Sequence, residues 1–159
     1  MNLHGDGLEE HNHNNCISFA LEEAQRICDT RGEKFTELRK EVLKIIWKSH
    51  RAVKAYAILS QLDPRIASVE PVNVYRALDF LCEQQLIHKI HMVKSYIGCS
   101  HPAEHNNCIL FYCNSCHEVQ ELCQQNVRTA LQNVCDKYDL NVVEQLCEIV
   151  GICRNCDEE

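Results

Sequence analysis

Apolar positions recur at helical spacing four times along the first half of the chain. Residues 19–28 place Phe19, Ala20, Ala24, Ile27 and Cys28 for one face of a helix. A second helix follows Thr36, a suitable N-cap, with Leu38, Val42, Ile45 and Ile46 as its buried stripe. A short third helix covers residues 55–62 and stops at Asp63 and Pro64. The fourth opens on Pro71, which suits a first turn, and buries Val74, Leu78, Leu81 and Cys82. The period then changes to two. Ile87, Lys89 and His91 alternate with His88, Ile90 and Met92, and strand character resumes at Tyr96 and Ile97, which predicts a hairpin turning near Lys94 and Ser95.

The second half reads as a smaller unit. Strands are expected at residues 109–112 and 118–122, an amphipathic helix at 124–138 (Val127, Leu131, Val134, Cys135, Tyr138), and a last strand at about 142–150. The predicted fold class is α+β: an N-terminal winged helix-turn-helix followed by a small α/β unit. The boundaries are a disordered tail at 1–15, a winged-helix domain at 16–97 and a second domain at 98–159. About 60 residues is marginal for independent folding, so a metal or oligomerisation is the expected remedy.

Charge sharpens this picture. The net charge is −7, which taken whole argues against nucleic acid. Yet residues 16–94 carry 13 Lys+Arg against 10 Asp+Glu, while residues 95–159 carry 3 against 10. Eight bases and three acids fall between residues 31 and 54. A local basic patch governs phosphate contact, and the global sum does not. Lys40, Lys44 and Lys48 form a stripe there that reads equally as a solvated face. On the fourth helix Asn73, Tyr75 and Arg76 lie in the first turns, off the core stripe. A recognition helix presents that end to the major groove, where Arg reads guanine and Tyr reaches a methyl or phosphate. The plainer alternative is that Tyr75 packs and Arg76 forms a surface ion pair. The first fifteen residues are polar and acidic, and no apolar run reaches eighteen, so neither a secretory signal nor a membrane span is expected, and a cytoplasmic protein is.

Twelve cysteines then direct attention to metal. Cys113 with Cys116 and Cys153 with Cys156 are paired Cys-x-x-Cys knuckles, the arrangement of a closed structural zinc site. A redox pair is the competing reading. A second constellation mixes His88, Cys99, His101 or His105, and Glu121, donors that suit zinc and span both halves. Taken singly, each has a duller role: a surface histidine, a buried thiol, a solvated carboxylate. His91, Cys108, His117 and Cys123 stand near as substitute ligands or supporting groups. Cys16, Cys28, Cys82, Cys135 and Cys147 fall at apolar positions as core thiols.

Several of these segments resemble one family. PVNVYRALDFL (residues 71–81), HKI with SYIGC (88–90 and 95–99), FTELRKEVL (35–43) and the two cysteine pairs resemble the ferric uptake regulator superfamily, and within it the zinc-sensing branch. The resemblance covers residues 16–156. It implies a homodimeric repressor, not an enzyme, with a winged helix and a dimerisation domain, binding palindromic double-stranded operator DNA when metal is held and controlling zinc uptake genes. It implies two zinc ions per subunit: a structural one at Cys113, Cys116, Cys153 and Cys156, and a regulatory one at His88, Cys99, Glu121 and, as the nearest match, His105. It implies DNA contacts from Tyr75 and Arg76, with Asn73 and Arg39 beside them. Three departures stand out. Glu37 replaces the family's proline, Asn73 replaces a threonine, and HNNCILFYC lacks the histidine run of iron sensors and is one residue longer than the zinc-type pattern, leaving His105 open against His101. The rivals are an iron or peroxide sensor on the same scaffold and a thiol redox protein. A hydrolytic zinc enzyme is least favoured, since a four-cysteine site leaves no open position.

Overall fold

The computed structural model describes residues 13–49, 51–66, 70–143 and 145–158. The expected tail lies outside these residues as far as position 12. The first helix, α1 (His13–Arg31), begins earlier than its apolar stripe. Ala20, Ala24, Ile27 and Cys28 are buried, but Phe19 is 67% exposed. Five residues separate Phe19 from Ala24, about 140° round a helix, so Phe19 falls outside the stripe expected to include it. Gly32 closes α1 with φ +70, and the Glu33 amide reaches back to the Cys28 carbonyl at 2.8 Å, the pairing that a left-handed glycine permits at a helix end.

α2 (Glu37–Trp47) starts as the sequence predicts: the Thr36 side chain accepts from the Arg39 amide. Glu37 stands in the first turn, where a carboxylate complements the helix dipole, so the missing proline costs no cap. α3 (Ala55–Gln61) and α4 (Pro71–Glu83) complete the helical half. Leu43, Ile46, Ile58, Leu78, Leu81 and Ile87 are fully buried at its centre. β1 (Ile87–Ile90) and β2 (Ser95–Gly98) pair antiparallel, with His88 opposite Ile97. Val53 adds a bridge to Tyr96, tying the hairpin to the loop before α3.

A 3-10 helix (Pro102–Asn107), unforeseen in the sequence, leads into the second sheet. β3 (Cys108–Cys113) is central, antiparallel to β4 (Val119–Cys123) and parallel to β5 (Glu148–Gly151). The expected long last strand shrinks to four residues because β5 pairs with β3 only from Leu110 to Cys113. Val142 and Val143, expected in that strand, are exposed instead. α5 (Gln125–Lys137) has the predicted amphipathic spacing, yet buries none of it: Leu131, Val134 and Tyr138 remain open. A one-turn α6 (Arg154–Asp157) ends the described chain. The two sheets meet through Ile90, Ile97 and Leu110, with Ala52, Val93 and Val119 packed around them.

Candidate functional site

Sheet register assembles the four-cysteine cluster. Cys113 ends β3, and the parallel pairing sets it opposite Gly151, so Cys153 arrives two residues later. The Asn114 amide donates to the Gly151 carbonyl at 2.8 Å and fixes that approach. All four sulfurs lie within 4.8 Å of one another. The Cys116 and Cys153 sulfurs are 3.8 Å apart. A tetrahedron with metal–sulfur bonds of about 2.3 Å has edges of about 3.8 Å, so the cluster fits one zinc ion. Cys113 is fully buried, and the Cys153 amide donates to its sulfur at 3.3 Å. Backbone donors from Cys116 and Cys153 bring the Cys113 thiol down to about 6, favouring the thiolate a metal needs.

The second cluster joins the hairpin to the second sheet. His88 on β1 is 6% exposed, and its Nε2 lies 3.2 Å from Glu121 Oε2 on β4. Its ring stacks on His105 with centroids 4.0 Å apart. His105 Nδ1 is 3.4 Å from Cys99 Sγ at the end of β2. The donor atoms of His88, Cys99 and His105 all fall within 4.8 Å of one another. His105, not His101, therefore joins this group. His101 is exposed and turns towards Cys123, with its Nδ1 3.9 Å from that sulfur. Glu121 is oriented by the Ser100 amide, which donates to Oε1 at 2.9 Å.

The electrostatics suit a divalent cation. Burial, with the charge of His88, pulls His105 down to about 4, so its imidazole is neutral. Burial would raise Glu121, but the bonds from His88 and Ser100 outweigh it and keep the carboxylate ionised. Burial and the Glu121 charge push the Cys99 thiol up, and a bound ion would displace its proton. Ligating a metal as two imidazoles, one thiolate and one carboxylate, these donors would carry two negative charges, which balances a dication in a buried site.

The neighbouring residues take other partners. His117 Nδ1 meets the Tyr112 hydroxyl at 2.7 Å. Cys108 and Cys123, expected as substitute ligands or supporting groups, are joined in a disulfide. Of the five expected core thiols, Cys28 is buried and Cys82, packed against the core, is pushed up to about 12 by burial; Cys16, Cys135 and Cys147 are only half-buried.

On α4, Tyr75 is 51% exposed and Arg76 is exposed, with no ion pair to Arg76 among the described residues. Asn73 is half-buried beside them. Arg39 is placed differently: its guanidinium lies 3.3 Å over the Phe80 ring and donates to the Lys34 carbonyl, so it fastens α2 to α4. Lys40 pairs with Glu37 at 2.9 Å and Lys44 pairs with Glu41, which offsets much of the basic stripe.

Two contributors escape sequence reasoning. Glu148 on β5 accepts from the His91 and Met92 amides at 2.7 and 3.0 Å, pinning the turn of the hairpin to the second sheet. Gly98 lies against Trp47, where a Cβ would stand 2.5 Å from the indole. An isolated glycine at the end of a strand was the available signal for that approach.

Residues 30–150 match the Ferric uptake regulator family. The zinc uptake regulation protein of Escherichia coli (strain K12) is 32% identical over 141 residues, spanning 87% of this chain and 81% of the relative. A solved zinc uptake regulator complexed with zinc and DNA is 31% identical and superposes with a TM-score of 0.83, over 89% of this chain and 95% of that one. The holo form of XcZur, 31% identical, gives 0.81 over 90% and 99% of the two chains. Its apo form, 28% identical over the same shares, gives 0.51.

Proposed function

The chain belongs to the ferric uptake regulator family of transcription regulators and is not an enzyme, and from that premise we propose that it is a zinc-responsive repressor. It binds palindromic double-stranded operator DNA as a homodimer when its regulatory site is filled, and it controls genes for zinc uptake in the cytoplasm. Residues 16–97 form the winged-helix domain and 98–159 the dimerisation and metal-binding domain. Zinc at Cys113, Cys116, Cys153 and Cys156 is structural, and zinc at His88, Cys99, His105 and Glu121 is regulatory.

The observation that carries this reading is the second cluster. His88 comes from the hairpin, Cys99 from its end and His105 from the 3-10 helix, with their donor atoms within 4.8 Å of one another, and Glu121 on the second sheet joins this group through His88. A cation among them supplies the attraction that holds both halves at one angle. His88 and Glu121 already meet at 3.2 Å, and Glu148 holds the hairpin turn on the same side. The overall arrangement superposes far better on the holo form of XcZur than on its apo form, which supports a closed, metal-holding conformation. Shifting a population from mostly open to mostly closed takes roughly 5 kcal/mol of differential binding, within reach of one metal site.

Dimerisation is supported by α5 and β5. Among the described residues, Leu131, Val134, Tyr138 and Leu140, on and just after α5, and Ile149 and Val150, on the edge strand β5, leave apolar area exposed. A second copy would cover it. DNA contact falls to Tyr75 and Arg76 at the exposed start of α4, with Asn73 beside them. Arg39 supports them through Phe80. The test is DNA binding across a buffered zinc titration, repeated with ferrous and manganous ion. Zinc alone restoring binding supports the proposal. Restoration by iron or manganese in its place favours the iron or peroxide sensor.

A further inference from the structure

Cys108 and Cys123 belong to neither metal set proposed above. They are the first residue of β3 and the last of β4, directly opposite one another, and a disulfide joins them. Both are half-buried, within reach of a small oxidant. Their surroundings are those of the regulatory cluster. The Cys108 sulfur lies within 4.8 Å of donor atoms on His88 and Glu121, and the Cys123 sulfur within 4.8 Å of donor atoms on His101 and Glu121. The pair therefore borders two of the four residues assigned to the regulatory ion.

We propose that Cys108 and Cys123 are a thiol–disulfide modification site that sets the affinity of the regulatory zinc, an inference that rests on the functional reading above. A thiolate is a metal ligand and carries charge; a disulfide sulfur offers neither. The reduced pair places two sulfur donors beside His88 and Glu121, which favours a cation there. The oxidised pair withdraws them. With a peroxide as oxidant, one thiolate attacks the O–O bond, becoming a sulfenic acid as the first water leaves. The second thiol attacks that sulfur and releases its oxygen as the second water. Two electrons pass from the two sulfurs to the peroxide, and the S–S bond replaces two S–H bonds. Linkage then makes the effect reciprocal: zinc in the regulatory site disfavours the disulfide by the factor through which the disulfide weakens zinc.

The test uses the full chain with its structural zinc in place. Reduced and hydrogen-peroxide-treated protein are titrated with chelator-buffered zinc, and disulfides are mapped by differential alkylation and mass spectrometry. Cys108→Ser and Cys123→Ser receive the same treatment. We expect the Cys108–Cys123 bond to form before any bond within the four-cysteine cluster. The second zinc should then bind about tenfold more weakly. Saturating zinc should slow formation of the bond, and both variants should lose the disulfide response to peroxide, with zinc affinity between those of the reduced and the oxidised protein. Two zincs bound with the same affinity before and after oxidation overturn this inference alone, as does oxidation that falls first on the four-cysteine cluster. A reduced protein that takes up only one zinc overturns the regulatory-site reading and this inference with it.

Discussion

Gly98→Ala is a small change at a point where the structure leaves no room. An added Cβ would stand 2.5 Å from Trp47 Cε2 and Nε1 and 3.0 Å from Cδ2. The backbone on either side is held: Gly98 pairs with Ile87 across the hairpin, and the next amide, of Cys99, donates to the Leu86 carbonyl at 3.0 Å. The indole is a rigid plate at the end of α2 that packs against the core of the helical half. Either the ring shifts or Cys99 does. Overpacking of this kind costs about 1–3 kcal/mol. Urea denaturation with zinc in excess should read a loss of that size. Where Cys99 moves, the second zinc should also bind roughly tenfold more weakly, since one pKa-sized step of about 1.4 kcal/mol is tenfold in a binding constant. Trp47→Leu costs packing by itself, but combined with Gly98→Ala it removes the clash, so the double variant should be more stable than the sum of the singles by about 1 kcal/mol or more. Gly98→Ala within about 0.5 kcal/mol of wild type, or strict additivity with Trp47→Leu, would refute the reasoning.

Four further variants test the two metal sites, the DNA contact and the hairpin anchor separately. Cys99→Ser should abolish zinc-dependent DNA binding and leave the oligomer intact by sedimentation, whereas Cys113→Ser, at a fully buried cluster position, should lower the melting temperature sharply or prevent assembly. Arg76→Ala should cost about 1–3 kcal/mol of operator affinity in a gel-shift or anisotropy titration while leaving the urea midpoint unchanged, because the side chain is exposed. Glu148→Ala removes the carboxylate that accepts from the His91 and Met92 amides. It should cost about 1 kcal/mol of the closed arrangement and raise the zinc level needed for half-maximal DNA binding several-fold, with the zinc stoichiometry unchanged.

Local periodicity made the helical half legible. Thr36 caps α2 and Pro71 opens α4 as their chemistry predicts, and the hairpin turns where the alternation breaks. Phe19 misled because it adjoins Ala20 in sequence yet lies round the helix from the stripe. The last strand was overextended because Val142 and Val143 look like strand residues, while its length is set by β3, a distant partner. Cysteine spacing was enough to pair the knuckles. It was not enough to choose between His101 and His105, a choice made by the 3-10 helix that stacks His105 on His88. Arg39 is expected beside the DNA contacts, and its place over Phe80 depends on how α2 and α4 cross. Glu148 bonds to residues 56 and 57 positions away, a relation no local pattern encodes.

On the function proposed above, one zinc, held less tightly than the structural one, decides whether the protein grips DNA. The most direct measurement is zinc stoichiometry by metal analysis, with operator binding followed in the same samples across a buffered zinc titration. Two zincs per subunit are expected, with DNA binding that rises only as the weaker site fills. One zinc per subunit, with DNA binding indifferent to more, would contradict it.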